Sequence, residues 1–158
     1  MDINSDKQKE ALNFLNKNYL GIVSTLSELD NIQSFAVFYE ITKGFEFSFI
    51  TKKATKKYEN LLKSKKASIV VASPEDGMSC EAQAKAEILE DVKNITEVVN
   101  SILYKIRETY IKSWGPPPFA KIKAGELVVI KLVPTWLRMC DFKKTMPKDN
   151  KEIFTQII

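Results

Sequence analysis

The chain of 158 residues, 44% hydrophobic and 28% charged, has the length and balance of one globular domain rather than of a disordered segment. Its net charge of +4 rests on lysine, because Arg107 and Arg138 are the only arginines, so arginine-led nucleic-acid readout is not expected. The absence of histidine excludes a Ser-His-Asp triad, a Cys-His pair and a His-ligated zinc, and no metal site is expected.

Ser5-Asp6-Lys7-Gln8 reads as a helix cap, and Ala11, Leu12, Phe14 and Leu15 give the following helix an apolar face that ends near Asn18. Residues 19–26 are a β-rich run and residues 27–33 a polar loop. A second strand is expected over residues 34–42, followed by a turn at Lys43-Gly44. Phe45, Phe47 and Phe49 then alternate with polar residues, which marks a strand with one buried face, and the two strands read as a hairpin. Residues 52–66 are helical in character, with Tyr58, Leu61 and Leu62 on one face. Residues 67–72 form a fourth strand, stopped by Ser73-Pro74-Glu75-Asp76-Gly77, and residues 78–90 a fifth.

Asn94 is expected to cap a helix whose apolar face runs through Ile95, Val98, Val99, Ile102, Leu103, Ile106 and Tyr110. Trp114-Gly115-Pro116-Pro117-Pro118-Phe119 breaks it as a stiff loop. A sixth strand follows over residues 126–133, Pro134 interrupts it, and a seventh covers residues 135–142. The order of elements predicts a mainly β, closed or nearly closed antiparallel barrel over residues 1–142. Residues 143–158 are expected to be a tail whose Ile153, Phe154, Ile157 and Ile158 pack on the body or on a partner. Cys80 and Cys140 lie far apart in no CxxC pattern and are expected to be free thiols. The apolar runs are too short to span a bilayer and the N-terminus lacks a signal pattern, so a cytoplasmic protein with no membrane partner is expected. No GxGxxG or GxxxxGK is present, and any catalysis is expected to need a cofactor.

The segment Phe49-Ile50-Thr51-Lys52-Lys53-Ala54-Thr55-Lys56-Lys57 places the end of a strand next to a helix start, with Thr55 at the N-cap position. Helix starts expose unpaired backbone N–H groups and partial positive charge, and here hydroxyls and ammonium groups join them. That set suits a phosphate dianion. The same residues also fit a solvated, lysine-rich helix start.

At this point the chain resembles the pyridoxamine 5′-phosphate oxidase-like, FMN-binding split-barrel family. Members carry a strand ending in Thr, three residues, then Ser or Thr, a basic residue and Lys, as in Thr51, Lys52-Lys53-Ala54, Thr55, Lys56 and Lys57. Gly21-Ile22-Val23-Ser24-Thr25 corresponds to the first strand, and Gln83-Ala84-Lys85-Ala86-Glu87 to a strand often carrying Gly-x-Ala. The resemblance implies an antiparallel Greek-key split β-barrel with flanking α-helices, and a homodimer with two FMN sites at its interface. It implies that Thr51, Thr55, Lys56 and Lys57 hold the phosphate, with Phe49 and Ile50 on the strand leading to it. It also implies that Ser34, Phe35, Ala36 and Val37 run beside the isoalloxazine ring. Ser79 lies where members often place a flavin-contacting Gln, and Gln83 shares its strand face. Trp114 and Trp136 are candidate walls from the partner subunit, with core packing as the alternative for both.

The family's pyridoxamine phosphate oxidases carry Arg-x-His near the C-terminus. Here Arg138 remains, Cys140 stands at the histidine position, and Phe142 stands where a further arginine is common. The departures count against vitamin B6 oxidation. The expected function is an FMN-dependent oxidoreductase acting on an unidentified small molecule or electron donor, with no catalytic residue assigned. The alternative is a flavin- or haem-binding module without turnover, in which Cys140, Met139 or a tyrosine serves as haem ligand.

Overall fold

The computed structural model describes residues 6–110, 119–144 and 153–158, and the side chains of these except 107–110 and 119. Strands β1 (Leu20–Leu26), β2 (Ile32–Phe38), β3 (Glu40–Ile41), β4 (Phe47–Lys52), β5 (Lys66–Ser73), β6 (Met78–Leu89), β7 (Leu127–Asp141) and β8 (Phe154–Gln156) form one sheet. Its order is β2-β1-β5-β6-β7-β4-β3, with β8 added to β7, and each pair is antiparallel. The sheet curls until β2 touches β4, so the fold is an antiparallel split β-barrel. Helices α1 (Asp6–Lys17), α2 (Lys56–Lys63), α3 (Val92–Tyr110) and α4 (Phe119–Lys123) flank it. No described helix is long and apolar enough to cross a membrane.

Period-two alternation fills the barrel. Val23, Val37, Phe47, Phe49, Ile69, Val71, Ala82, Ala84, Ala86, Leu137 and Met139 point inward from successive strands, with Leu61 of α2 and Phe14 and Leu15 of α1. The alanine row of β6 leaves volume for the bulkier Phe47, Phe49 and Leu132 nearby. A second cluster joins Ile95, Val99, Ile102 and Ile106 of α3 to Leu127 and Val129 of β7. Because α3 covers that outer face, Leu127, Val128, Val129 and Ile130 are all buried, and the alternation seen elsewhere disappears.

Five expectations need correction. The strand expected over residues 34–42 is two strands. Residues Ile32–Phe38 pair with β1, and only Glu40–Ile41 pair with β4, so the main hairpin is β1–β2. The chain bends at Tyr39, which is fully buried; its N–H donates to the Tyr19 carbonyl and its hydroxyl to the Leu15 carbonyl at 2.9 Å. Phe45 belongs to the following turn at φ +63°, and β4 begins at Phe47.

Asn94 does not cap α3. Asp91 does, accepting from the Asn94 N–H at 2.9 Å and from its Nδ2 at 2.6 Å. Pro134 does not end a strand either. The register steps from Ala84 opposite Pro134 to Gln83 opposite Trp136, leaving Thr135 as a bulge whose Oγ1 donates to the Gln83 carbonyl. A proline is tolerated beside a bulge, where the ladder is already interrupted. Helix α2 is shorter than residues 52–66, because Lys52 pairs with Leu127 and the Lys53 N–H donates to the Glu126 carbonyl.

Phe49 has no exposed surface and sits in the middle of this packing. Phe49→Ala is expected to cost about 3–5 kcal/mol, by lost transfer energy and the cavity left behind. Urea unfolding monitored by circular dichroism checks this; a loss under about 1 kcal/mol would place the ring outside the core.

Candidate functional site

β4 runs out of partner where β7 begins, and the chain turns from Thr51 and Lys52 into α2. Thr55 is the N-cap residue, in extended conformation, yet its side chain does not cap the helix. Its Oγ1 lies 2.9 Å from the Lys52 carbonyl and 2.9 Å from the Thr51 Oγ1. The single Thr55 hydroxyl proton goes to Lys52, so Thr51 donates to Thr55. The first N–H groups of α2 therefore lack a side-chain cap and face a hydroxyl pair at the positive end of the helix dipole.

The two lysines that follow differ. Lys56 is exposed and pairs with Glu59 at 2.8 Å, which holds its pKa above the usual lysine value. Lys57 leans over the Phe35 ring of β2, its Nζ 4.9 Å from the centroid. Partial burial pushes its pKa below the usual lysine value. An ammonium group partly buried against an aromatic face gains more from an incoming anion than a fully solvated one. Helix α2 is fixed by Asn60, buried in its middle, whose Nδ2 donates to Thr25 Oγ1 at 2.9 Å and to Gln33 Oε1 at 2.8 Å. This tie to β1 and β2 sets the height of Lys57 above Phe35. No local pattern marks it, because a lone asparagine in a lysine-rich helix also reads as a surface residue.

The structure thus brings together Thr51, Thr55 and Lys57 with Phe35, and leaves Lys56 at the solvent edge. Val37 is buried beneath β2, whereas Ser34 and Ala36 point to the outer face, where Ser34 Oγ lies 2.8 Å from Ser24 Oγ. Phe49 is in the core, and Ile50 packs towards α3. A second group occupies the outer face. Register aligns Ser34, Ser24, Ser68, Gln83 and Trp136 in one row, with Arg138 on the next row of that face and Ser79 on the one beyond. Arg138 is held by Glu81, with Nε 2.7 Å from the carboxylate, and stacks on Trp136 and Phe154 at 5.2 and 4.3 Å. Thr51 lies opposite Val128, and Arg138 lies ten residues further along β7, roughly 30 Å of strand contour. Along β7, Trp136 and Arg138 are therefore well removed from Thr51, whereas Ser34 adjoins Phe35 on β2. Trp114 lies outside the described residues. Cys80 and Cys140 are free and buried, and burial pushes the Cys80 thiol up to about 12 and raises Cys140, so neither is a poised nucleophile.

An antiparallel split barrel of this strand order, with its fourth strand running into a helix start, defines a class, that of the pyridoxamine 5′-phosphate oxidase-like split barrels. A family model described as Pyridoxamine 5'-phosphate oxidase matches residues 8–141, and the chain belongs to that family. A search of curated proteins finds no match. Among solved structures, a conserved hypothetical protein from Mycobacterium tuberculosis is 20% identical with a TM-score of 0.71, covering 92% of this chain and 90% of that one. A structure described as F420 reductase is 18% identical with a TM-score of 0.65, over 79% of this chain and 93% of that one. A heme binding protein from Mycobacterium smegmatis is 15% identical with a TM-score of 0.66, over 89% of this chain and 56% of that one. These likenesses establish the fold.

Asn60→Ala is expected to cost about 1–3 kcal/mol, because it leaves the buried Thr25 hydroxyl and the Gln33 amide without their partner. It should also loosen α2 selectively. Hydrogen exchange reads this as faster exchange in residues 56–63 than in β5 and β6; uniform loss of protection would mean that Asn60 does not position the helix.

Proposed function

We propose that the protein is an FMN-binding flavoprotein acting as an FMN-dependent oxidoreductase, and that it works as a homodimer. The observation that carries this reading is the succession, within one strand–helix turn, of the Thr51–Thr55 hydroxyl pair, the first N–H groups of α2 without a side-chain cap, and the partly buried Lys57 over Phe35 of β2. The donor set suits a phosphate monoester: the N–H groups of the first turn of α2 for its oxygens and one ammonium group for its charge, with the Thr51 and Thr55 hydroxyls joining them by turning their protons from each other and from the Lys52 carbonyl. Phe35 and the β2 backbone offer a neighbouring surface to a planar ring. Bound there, the flavin would supply electron transfer, and the chain would bind, orient and tune it.

The second group supports the dimer. Trp136 and Arg138 lie far along β7 from the residues that pair with the end of β4, and a two-subunit site would bring them, with Gln83 of the neighbouring β6, to a partner's helix start. The outer face between the groups carries Ile22 and Val70, which lie opposite each other and are 44% and 40% exposed. Such a surface fits burial against a second copy. The haem alternative lacks comparable support, since Met139 and Cys140 are 2% and 3% exposed.

The purified protein is expected to be yellow, with absorbance near roughly 450 nm, to bleach with a reduced nicotinamide cofactor and to recolour in air. Lys57→Ala should weaken FMN by about tenfold or more and riboflavin by less than about twofold. Equal losses would refute the phosphate assignment. The pH dependence has a definite sign. The phosphate favours charged Lys57, and free Lys57 loses its proton at a lower pH than an ordinary lysine. FMN affinity should therefore fall as pH rises through that depressed pKa, and Lys57→Arg, which stays charged, should not show the fall. Sedimentation should give a dimer at micromolar concentration; a monomer that still binds FMN with full affinity would remove the two-subunit site.

A further inference from the structure

At the other end of α2 lies an open cleft of about 940 Å³, bounded by the tip of the β1–β2 hairpin, the α2–β5 turn and the middle of β6. Lys63, Lys65, Lys66 and Lys85 line it, and Leu26 and Ile32 form its apolar side. Lys57 is in the first turn of α2 and Lys63 at its last residue, so the cleft is about 9 Å along the helix axis from the strand–helix turn.

The register makes this cluster unusual. Lys66 lies directly opposite Lys85 across β5 and β6. Opposed residues of an antiparallel pair project to the same face, and like charges placed so are destabilising. Ordinarily a carboxylate would answer them. Glu28 pairs with Lys63, and among the described residues Lys65, Lys66 and Lys85 make no ion pair. One row further along, Ser68 faces Gln83, adding neutral hydrogen-bonding groups beside the charges. Ile32 is 74% exposed at the mouth, which gives an incoming molecule apolar surface to cover. Concentrated positive charge over an apolar wall is the complement of an amphipathic anion.

The geometry points to a second ligand site, which takes a small organic molecule with an apolar body and two or more phosphate or carboxylate groups. The anionic groups lie between Lys66 and Lys85 and relieve their repulsion, while Lys65 adds a third charge. The body lies against Leu26 and Ile32. The site uses none of the residues of the strand–helix turn, and Gln83 at its border is the one residue it shares with the proposed two-subunit site.

The test is calorimetric titration at constant ionic strength with pyrophosphate, ADP and adenosine. Pyrophosphate and ADP are expected to bind, ADP the more tightly, and adenosine is expected not to. Lys66→Gln with Lys85→Gln should weaken both anions by about tenfold or more. The same double variant, freed of the opposed charges, should melt no lower than the wild type when no anion is present. Titrating Lys57→Ala separates the cleft from the strand–helix turn: anion binding that survives this change and is lost in the double variant belongs to the cleft, and binding lost with Lys57→Ala alone overturns the proposal. Absence of pyrophosphate binding to the wild type, or unchanged affinity in the double variant, overturns the proposal. ADP binding no tighter than pyrophosphate overturns the apolar part of it.

Discussion

The arrangement depends on one long strand, β7, and on the bulge within it. Its fifteen residues pair with β6 along one edge, while the other edge serves β4 first and β8 afterwards. The bulge at Thr135 separates these halves and adds twist, which lets one strand belong to two differently oriented parts of a curled sheet. Before the bulge β7 is buried on both faces, under α3 and over the barrel core. After it, Leu137 and Met139 face inward while Trp136 and Arg138 face outward. The start of β7 also decides where β4 must stop. Lys52 finds its last partner in Leu127, the chain leaves the sheet, and Thr51 and Thr55 meet across the turn. The candidate site is thus a consequence of where a strand pairing ends.

Much of this could be seen in the sequence, and the parts that could not share a cause. Barrel strands and helix α3 announce themselves by local period, so residues 67–72 and 78–90 and the apolar face from Ile95 fall close to the observed elements. Strand partners are not a local property. The Lys43-Gly44 turn suggested a hairpin that exists for only two residue pairs, because Tyr39 anchors the chain to α1 and diverts β2 towards β1. Pro134 reads as a breaker unless the bulge beside it is known. Asp91 and Asn94 are both good caps, and their mutual hydrogen bonds are visible only in three dimensions. The turn through Thr51, Thr55 and Lys57 was legible since it is contiguous. The Asn60 tie and the lysine cleft were not, as each draws on separate stretches of chain.

The many lysines do not act alike. Lys17 with Asp76, Lys53 with Glu90, Lys56 with Glu59 and Lys131 with Glu46 are surface pairs, and such pairs contribute little to stability. Their effect is to leave positive charge where no carboxylate answers it. Lys57 is one such place, selected by an aromatic partner, and the Lys66–Lys85 pair is another, selected by register. Modest net charge therefore conceals strong local fields, and these bear more directly on ligand choice than the total does.

Arg138 bounds the chemistry from the opposite side. Its guanidinium is joined to Glu81 and lies between Trp136 and Phe154, so both its charge and its faces are engaged. Phe154 reaches it through β8, which pairs with β7 at Arg138, Met139 and Cys140. An anionic substrate seeking this arginine must displace Glu81 and leave a half-buried carboxylate without its partner, a loss that the new contact has to exceed. Two residues on, Cys140 offers a buried thiol with a raised pKa, not an imidazole that can donate and accept protons near neutral pH. The pair at residues 138 and 140 is therefore built as a closed structural unit. Substrate recognition of the kind an Arg-x-His pair performs has no counterpart at these two residues; a ligand meets Arg138 only together with Glu81 and Trp136, and the lysines that no carboxylate answers lie at the two ends of α2.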